Sequence, residues 1–116
     1  MKFKYKEEVP FADRLKETQQ MREINKEHVP IVVEKAGKSS LVDIKTKKFR
    51  VHENLSVAQF ILVLRKRMKL APEQAIFLFI DNTIPCTSSK LSEVYSQHKD
   101  ADGILYIAYD NENTFG

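Results

Sequence analysis

SVAQFILVLRKRM, residues 56–68, is the stretch that decides the fold, because it carries the clearest helical periodicity in the chain. Ser56 and Gln59 have the spacing of a capping box, which places the start of a helix at residue 57. The basic run 65–67 lies at the other end, where the helix dipole favours cations. Five apolar side chains share one helical face: Val57, Phe60, Ile61, Leu64 and Met68. The pattern predicts a helix that buries this face against a sheet.

Strand patterns precede and follow this helix. The β-branched stretch VPIVVEKA, residues 29–36, predicts a strand, and LVDIKTKKFRVH, residues 41–52, predicts a second, bent strand. The turn GKSS between them favours a hairpin. A third strand is predicted at AIFLFI, residues 75–80. GILYIAY, residues 103–109, is apolar on both faces, so we expect this last strand to lie in the middle of the sheet.

Helical patterns complete the chain. SSKLSEVYSQH, residues 88–98, predicts a short helix capped by Ser88 or Ser89. Residues 1–9 form a basic, aromatic arm with one or two helical turns. Residues 11–28 predict a longer helix with one drifting face of Phe11, Leu15, Thr18, Met21 and Ile24.

The predicted order is two helices followed by ββαβαβ, which describes an α+β, ubiquitin-like β-grasp with two additional N-terminal helices. We expect a single domain, residues 1–116. Within it, 1–26 form a helical extension, 27–110 the β-grasp core and 111–116 a flexible tail that ends on Gly116.

Composition favours a cytoplasmic globular protein. The chain has 116 residues, of which 42% are hydrophobic and 30% charged. No apolar run approaches the roughly 20 residues of a membrane span, and the N-terminus lacks the apolar segment of a signal peptide. Cys86 is the single cysteine, which excludes an internal disulfide and suits a reducing compartment.

Charge is unevenly distributed along the chain. Residues 34–70 hold ten Lys or Arg against three Asp or Glu, whereas residues 71–116 hold two against seven. A basic surface of this kind suits an acidic peptide, an anionic membrane or nucleic acid.

Enzyme chemistry is not expected, and neither is a cofactor or a metal. His28, His52 and His98 are scattered, and three glycines are too few for a phosphate-binding loop. No nucleophile motif surrounds Cys86, which we interpret as an inert small residue.

Several stretches resemble one family over essentially the whole chain. They are MKFKYKEEVPFADR at the start, VPIVVEKA, SVAQFILVLRKRMKL, FLFIDNTIP and LYIAYDNENTFG at the end. The sequence is similar to the autophagy-related ubiquitin-like modifiers of the GABA-receptor-associated-protein (GABARAP) and microtubule-associated light-chain type.

This resemblance implies a conjugation cycle. The terminal Gly116 is activated, passed through a conjugating enzyme and linked to phosphatidylethanolamine on autophagosomes and other vesicle membranes. A cysteine protease processes and delipidates such proteins. The protein is then substrate and scaffold, recruiting cargo receptors and autophagy factors rather than catalysing a reaction.

The resemblance also implies a peptide groove for aromatic-x-x-aliphatic motifs, in which the peptide adds as a strand beside KKFRVH. The implied aromatic pocket comprises Glu17, Met21, Pro30, Lys48, Arg50 and Ile104. The implied aliphatic pocket comprises Phe49, Val51, Leu55, Phe60, Val63 and Leu64. Lys47, Lys48 and Arg67 are implied contacts of an acidic flank, and Phe77 and Phe79 are implied members of a second interaction surface.

Four positions depart from the family pattern. Arg50 replaces a usual aliphatic residue in the aromatic pocket, and His52 replaces a usual proline. Thr46 and His28 each replace a commonly basic residue. These departures bear on which motifs the groove prefers.

Two other classes of function stay open. One is an adaptor with the ubiquitin fold that uses its groove without being conjugated. The other is a basic module, around residues 45–50 and 65–69, that binds microtubules or RNA with a steep salt dependence. Nucleic acid is the least expected partner, because only Phe49 is placed to stack on bases.

Overall fold

Four helices and four strands make up residues 1–113, the part of the chain that the computed structural model describes. In chain order the elements are α1 Lys4–Glu8, α2 Phe11–Ile24, β1 His28–Lys35, β2 Lys48–His52, α3 Val57–Met68, β3 Phe77–Phe79, α4 Leu91–His98 and β4 Leu105–Asp110. The predicted order of two helices followed by ββαβαβ is confirmed.

The four strands form a mixed sheet in the order β2-β1-β4-β3. β1 pairs antiparallel with β2, with Ile31 opposite Phe49, and parallel with β4, with Val33 opposite Ile107. β3 pairs antiparallel with the other side of β4. All six residues of β4 are buried, so the prediction that the last strand is central is confirmed. The fold is an α+β β-grasp.

α3 crosses one face of the sheet and closes the main core. Its capping box is present: Gln59 N donates to Ser56 Oγ at 3.1 Å, and Ser56 N donates to Gln59 Oε1 at 2.8 Å. The helix ends where Lys69 turns into the left-handed region at φ 54°. Phe60 and Leu64 on its inner face are fully buried. The Phe60 ring meets the Phe49 ring of β2 edge-on, with centroids 5.5 Å apart.

α1 and α2 pack on the opposite face of the sheet. A smaller cluster there contains Tyr5, Val32, Ile104 and Tyr106. The Glu34 carboxylate of β1 accepts from the backbone N–H groups of Lys4 and Tyr5 at 2.8 and 2.9 Å, which fixes the start of α1. The N-terminal residues 3–9 are therefore packed on the sheet through their aromatic side chains.

The predicted strand over 41–52 is wrong in its first half, because only Lys48–His52 is a strand. The buried Tyr109 of β4 holds the preceding loop instead. Its hydroxyl donates to the carbonyl of Val42 at 2.7 Å and accepts from the N–H of Ile44 at 2.8 Å. A side chain thus satisfies backbone groups that in a strand would form cross-strand hydrogen bonds.

Three further boundaries differ from the prediction. α2 ends at Ile24 rather than 28, and β1 already begins at His28. Phe11 and Ile24 are exposed rather than inward, since α2 packs through the buried Arg14 and Thr18. The third strand is shorter than 75–80 and comprises Phe77–Phe79.

The predicted cap of the last helix, Ser88 or Ser89, is wrong. α4 begins at Leu91 after Lys90, with no side-chain cap. Its first N–H groups are satisfied by the backbone instead, because Leu91 N donates to Leu55 O at 2.8 Å and Ser92 N donates to Glu53 O at 2.9 Å. Neighbouring loops can replace a capping side chain in this way.

Candidate functional site

β2 is an edge strand, and its outer side is available for pairing. Val33 N donates to Lys47 O, and Glu53 N donates to Glu27 O, both at 2.8 Å. Hydrogen-bonded pairs alternate along an antiparallel ladder, so Phe49 and Val51 direct their backbone groups toward β1. The N–H and C=O groups of Lys48 and Arg50 therefore face outward. No other strand among residues 1–113 pairs with β2 on that side.

A pocket of about 240 Å³ lies on the α2 side of this edge. All six residues of the implied aromatic pocket line it, together with Thr18, Ile31, Val32 and Phe49: Glu17, Met21, Pro30, Lys48, Arg50 and Ile104. α2, β1, β2 and the residue just before β4 each contribute to the wall. The pocket is thus built from segments that are far apart in sequence.

The charges of this pocket are partly neutralised. The Lys48 ammonium forms an ion pair with Glu17 and lies 5.6 Å from the centroid of the Tyr5 ring. Burial lowers the pKa of Lys48, but hydrogen bonds and charge from Glu17 and Tyr5 outweigh it, so the pKa lies above its ordinary value. Lys48 is therefore a stable cation at the rim of the pocket.

The implied aliphatic pocket lies on the α3 side of the same strand. Phe49, Phe60 and Leu64 are buried in the main core and form its floor. Val51, Leu55 and Val63 are partly buried and pack against that core. Of the six implied residues, these three are the less buried ones, so we expect a ligand side chain to contact them.

The three implied acidic-flank residues already have partners. Lys47 forms an ion pair with the buried Glu34 at 3.3 Å, and Lys48 is paired with Glu17. The Arg67 guanidinium lies 5.4 Å from the centroid of the Phe49 ring. An acidic peptide would have to compete with Glu34 and Glu17 for the two lysines.

The implied second surface lies at the opposite edge of the sheet. Phe77 is half-buried, and Phe79 is buried and contributes with Phe3, Lys6 and Tyr106 to a pocket of about 190 Å³. β3 separates this pocket from the main core, because the intervening Leu78 points into that core. The two aromatic side chains thus belong to a surface distinct from the β2 groove.

Tyr5 and Glu34 support the groove but were missed from the sequence. Tyr5 Oη donates to Glu17 Oε2 at 3.4 Å beneath Lys48, and Glu34 holds both Lys47 and the start of α1. The alternation of cations and aromatics in MKFKYKEE indicated a surface arm. No pattern near Tyr5 indicates that its ring is buried, because the buried apolar side chains it packs against are distant in sequence.

The remaining departures from the family pattern lie at the two ends of β2. His28 and His52 face each other across the β1–β2 pair, with ring centroids 5.6 Å apart. His52 Nε2 lies 3.3 Å from Glu27 Oε2. Thr46 is exposed in the loop before β2 and lines a groove with Arg67 and Lys69.

Gly116 lies outside the described residues 1–113. Cys86 is exposed, and a hydrogen bond with Ser88 lowers the pKa of its thiol. Within residues 1–113, no three His, Cys, Asp or Glu side chains are grouped to hold a metal ion. The helices of this part of the chain are too short or too polar to span a membrane.

Comparisons with known proteins agree with this architecture. The family model described as "Autophagy protein Atg8 ubiquitin like" matches residues 13–116. Autophagy-related protein 8 of Cochliobolus heterostrophus is 46% identical over 116 residues, which cover 100% of this chain and 98% of that protein. The protein of the same name from Neurospora crassa is also 46% identical, over 100% and 96% of the two chains.

Solved structures give the same result. Trypanosoma brucei ATG8 superposes with a TM-score of 0.93 at 37% identity, covering 100% of both chains. Plasmodium falciparum Atg8, solved in complex with a Plasmodium falciparum Atg3 peptide, superposes with a TM-score of 0.90 at 33% identity, covering 99% and 100%. The chain therefore belongs to the Atg8 family of ubiquitin-like proteins of autophagy.

Proposed function

We propose that this protein is a membrane-conjugated modifier that recruits partners by adding their aromatic-x-x-aliphatic motifs as a strand to β2. The observation that carries the recruiting function is the open edge of β2 between two different surfaces. A pocket lined by Lys48 and Arg50 lies on one face, and apolar side chains of Val51 and Leu55 lie on the other. An added strand would gain main-chain hydrogen bonds to the edge and contacts on both faces.

The spacing of the motif fits these two surfaces. Successive side chains of an extended peptide alternate between faces, so residues three apart point to opposite faces. An aromatic residue can therefore enter the α2-side pocket while an aliphatic residue three positions later contacts the α3 side. Because Val51 and Leu55 lie beyond Lys48 along the chain, the peptide would run parallel to β2.

Placing a charge in the aliphatic surface tests this groove. We expect Leu55→Asp to weaken binding of an aromatic-x-x-aliphatic peptide by more than about tenfold, because peptide binding would bury an unpaired carboxylate. Isothermal titration calorimetry measures the dissociation constant, and circular dichroism checks that the variant folds.

Leu62→Asp is the matched control. Leu62 also lies on α3 but is 64% exposed and is not part of the groove. Equal loss in both variants, or no loss in Leu55→Asp, would place the peptide site elsewhere.

The conjugation part of the proposal concerns Gly116. The family match extends over this residue, and the Plasmodium relative was solved with a peptide of Atg3. We infer that a conjugating enzyme of this kind, acting after an activating enzyme, transfers Gly116 to phosphatidylethanolamine. A processing cysteine protease and cargo receptors complete the set of partners. The protein then acts as substrate and scaffold, in the cytoplasm and on autophagosomal and other vesicle membranes.

Lipidation in a reconstituted system tests this part. The protein is incubated with ATP, activating and conjugating enzymes, and vesicles containing phosphatidylethanolamine. We expect an intact mass higher by one lipid and flotation with the vesicles, and neither in Gly116→Ala. If the wild-type protein gives neither a thioester nor a lipid adduct, the alternative is a soluble adaptor that uses only its groove.

A further inference from the structure

Three side chains with nitrogen donors, two of them cationic, form a stripe along the α2 side of the edge strand. Lys48, Arg50 and His52 alternate in β2 and share one face, opposite Val32, Pro30 and His28 of β1. Neighbours in the stripe are about 7 Å apart along the strand. The stripe therefore borders the full length over which an added strand would lie.

A carboxylate lies beside each end of this stripe but not beside its centre. Glu17 of α2 pairs with Lys48, and Glu27 lies 3.3 Å from the ring nitrogen of His52. The Arg50 side chain is exposed and forms no ion pair or hydrogen bond with any residue of 1–113. The guanidinium thus remains available to a carboxylate that comes from outside.

The register of an added strand determines which ligand residue reaches Arg50. The aromatic residue of the motif enters the α2-side pocket, whose rim includes Lys48. The second variable residue, two positions after the aromatic one, returns to the same face about 7 Å further along. In a strand parallel to β2, that displacement leads from Lys48 toward Arg50 and His52.

We propose that Arg50 is a specificity-determining residue that selects motifs with an acidic residue at the second variable position, aromatic-x-(Asp/Glu)-aliphatic. This inference rests on the proposed strand addition. A guanidinium can bind a carboxylate through two parallel N–H···O hydrogen bonds. The neutral amide of Gln accepts less strongly, and Lys at that position is repelled.

The test uses three peptides that differ only at the second variable position, which is Glu, Gln or Lys. We expect wild-type protein to bind the Glu peptide about 3- to 10-fold more tightly than the Gln peptide, and the Lys peptide more weakly than either. In Arg50→Gln the Glu-to-Gln ratio should fall to about one. Arg50→Lys should keep part of the preference, and Arg50→Glu should reverse it in favour of the Lys peptide.

Lys38→Gln is the matched control for net charge. Lys38 is exposed in the loop after β1, away from the β2 edge, and its loss lowers the protein charge by the same amount. We expect the ratio between the Glu and Gln peptides to be unchanged in this variant. A ratio that falls equally in Lys38→Gln and Arg50→Gln would mean that long-range charge, not Arg50, sets the preference.

The outcomes separate this inference from the proposed function. If the peptides bind and Leu55→Asp abolishes binding, but wild type and Arg50→Gln show the same ratio, the inference is overturned and the groove remains. If no peptide binds wild type, or Leu55→Asp changes nothing, strand addition at β2 is itself wrong. The ratio is measured within one variant, so a general change in pocket affinity caused by Arg50→Gln cancels.

Discussion

At the scale of single residues, Gly103 shows how closely α2 approaches the turn before β4. Its φ of +85° lies in the left-handed region, and a Cβ atom built there would be 2.8 Å from Thr18 Cγ2. The Thr18 hydroxyl is in turn within 2.6 Å of the Arg14 carbonyl and 2.8 Å of the Asp102 carbonyl. Both the backbone conformation and the space therefore require glycine.

We expect Gly103→Ala to destabilise the protein by about 1–3 kcal/mol, because it adds backbone strain and a contact with Thr18. Gly37→Ala is the matched control, since nothing lies within 4 Å of a Cβ at Gly37. Urea denaturation of both variants measures the difference. Equal stabilities would contradict the close approach of α2.

At the scale of elements, a buried ion pair attaches α2 to the sheet. Arg14 Nε donates to Asp102 Oδ2 at 2.9 Å, and Arg14 Nη1 donates to the carbonyls of Lys6 and Val9 at 2.9 and 2.8 Å. The Tyr106 hydroxyl donates to the same Asp102 oxygen at 2.6 Å. Burial, and then the hydrogen bond to Asp102, raise the pKa of that phenol. One arginine thus joins α1, α2 and the start of β4.

Removing this arginine should leave a buried carboxylate without its cation. We expect Arg14→Ala to lower the free energy of unfolding by about 3–5 kcal/mol. Lys6→Ala removes the more exposed pair with Asp100 and should cost no more than about 1 kcal/mol. Chemical denaturation compares the two. A loss in Arg14→Ala as small as that in Lys6→Ala would mean that Asp102 is solvated when α2 loses its anchor.

The ion pair between Lys6 and Asp100 makes the free energy of unfolding depend on pH. Burial raises the pKa of Asp100, but hydrogen bonds from Lys6 and the N–H of Asp102, with the charges of Lys6 and Arg14, outweigh it, so the folded-state pKa lies below the ordinary 3.8. A depressed carboxyl pKa contributes stability above the ordinary value and loses it as pH falls through the folded-state pKa. We expect Lys6→Gln to be less stable than wild type near pH 6, and the difference to vanish at the most acidic pH at which both stay folded. A difference that persists there would contradict this role of Asp100.

At the scale of the whole molecule, periodicity predicted the order of elements and the central position of β4. It failed at residues 41–47, where apolar and β-branched residues favour a strand. Tyr109, more than sixty residues later, holds that loop through the backbone of Val42 and Ile44. A local sequence pattern cannot predict a contact with a residue so distant in sequence. The start of β2 could therefore be determined only from the structure.

In the candidate site, too, some residues could be predicted and others could not. The residues of the aromatic pocket came from a family resemblance, because α2, β1, β2 and the approach to β4 contribute them from distant parts of the chain. The supporting Tyr5 and Glu34 had no signal in the sequence. That Arg50 has no carboxylate partner among residues 1–113 also depends on where Glu17 and Glu27 lie, which only the fold determines.

The parallel pairing of β1 with β4 has a mechanical consequence. From Ile31↔Leu105 to Lys35↔Tyr109 the two strands run side by side in the same direction, and β2 is paired with the other side of β1. A pull along β4 at its carboxyl end, resisted by a load held on β2, would act along the strands. The cross-strand hydrogen bonds would then be loaded in shear and carry the force simultaneously, instead of breaking one after another. The sheet is thus arranged to transmit tension between its edge and the end of the chain.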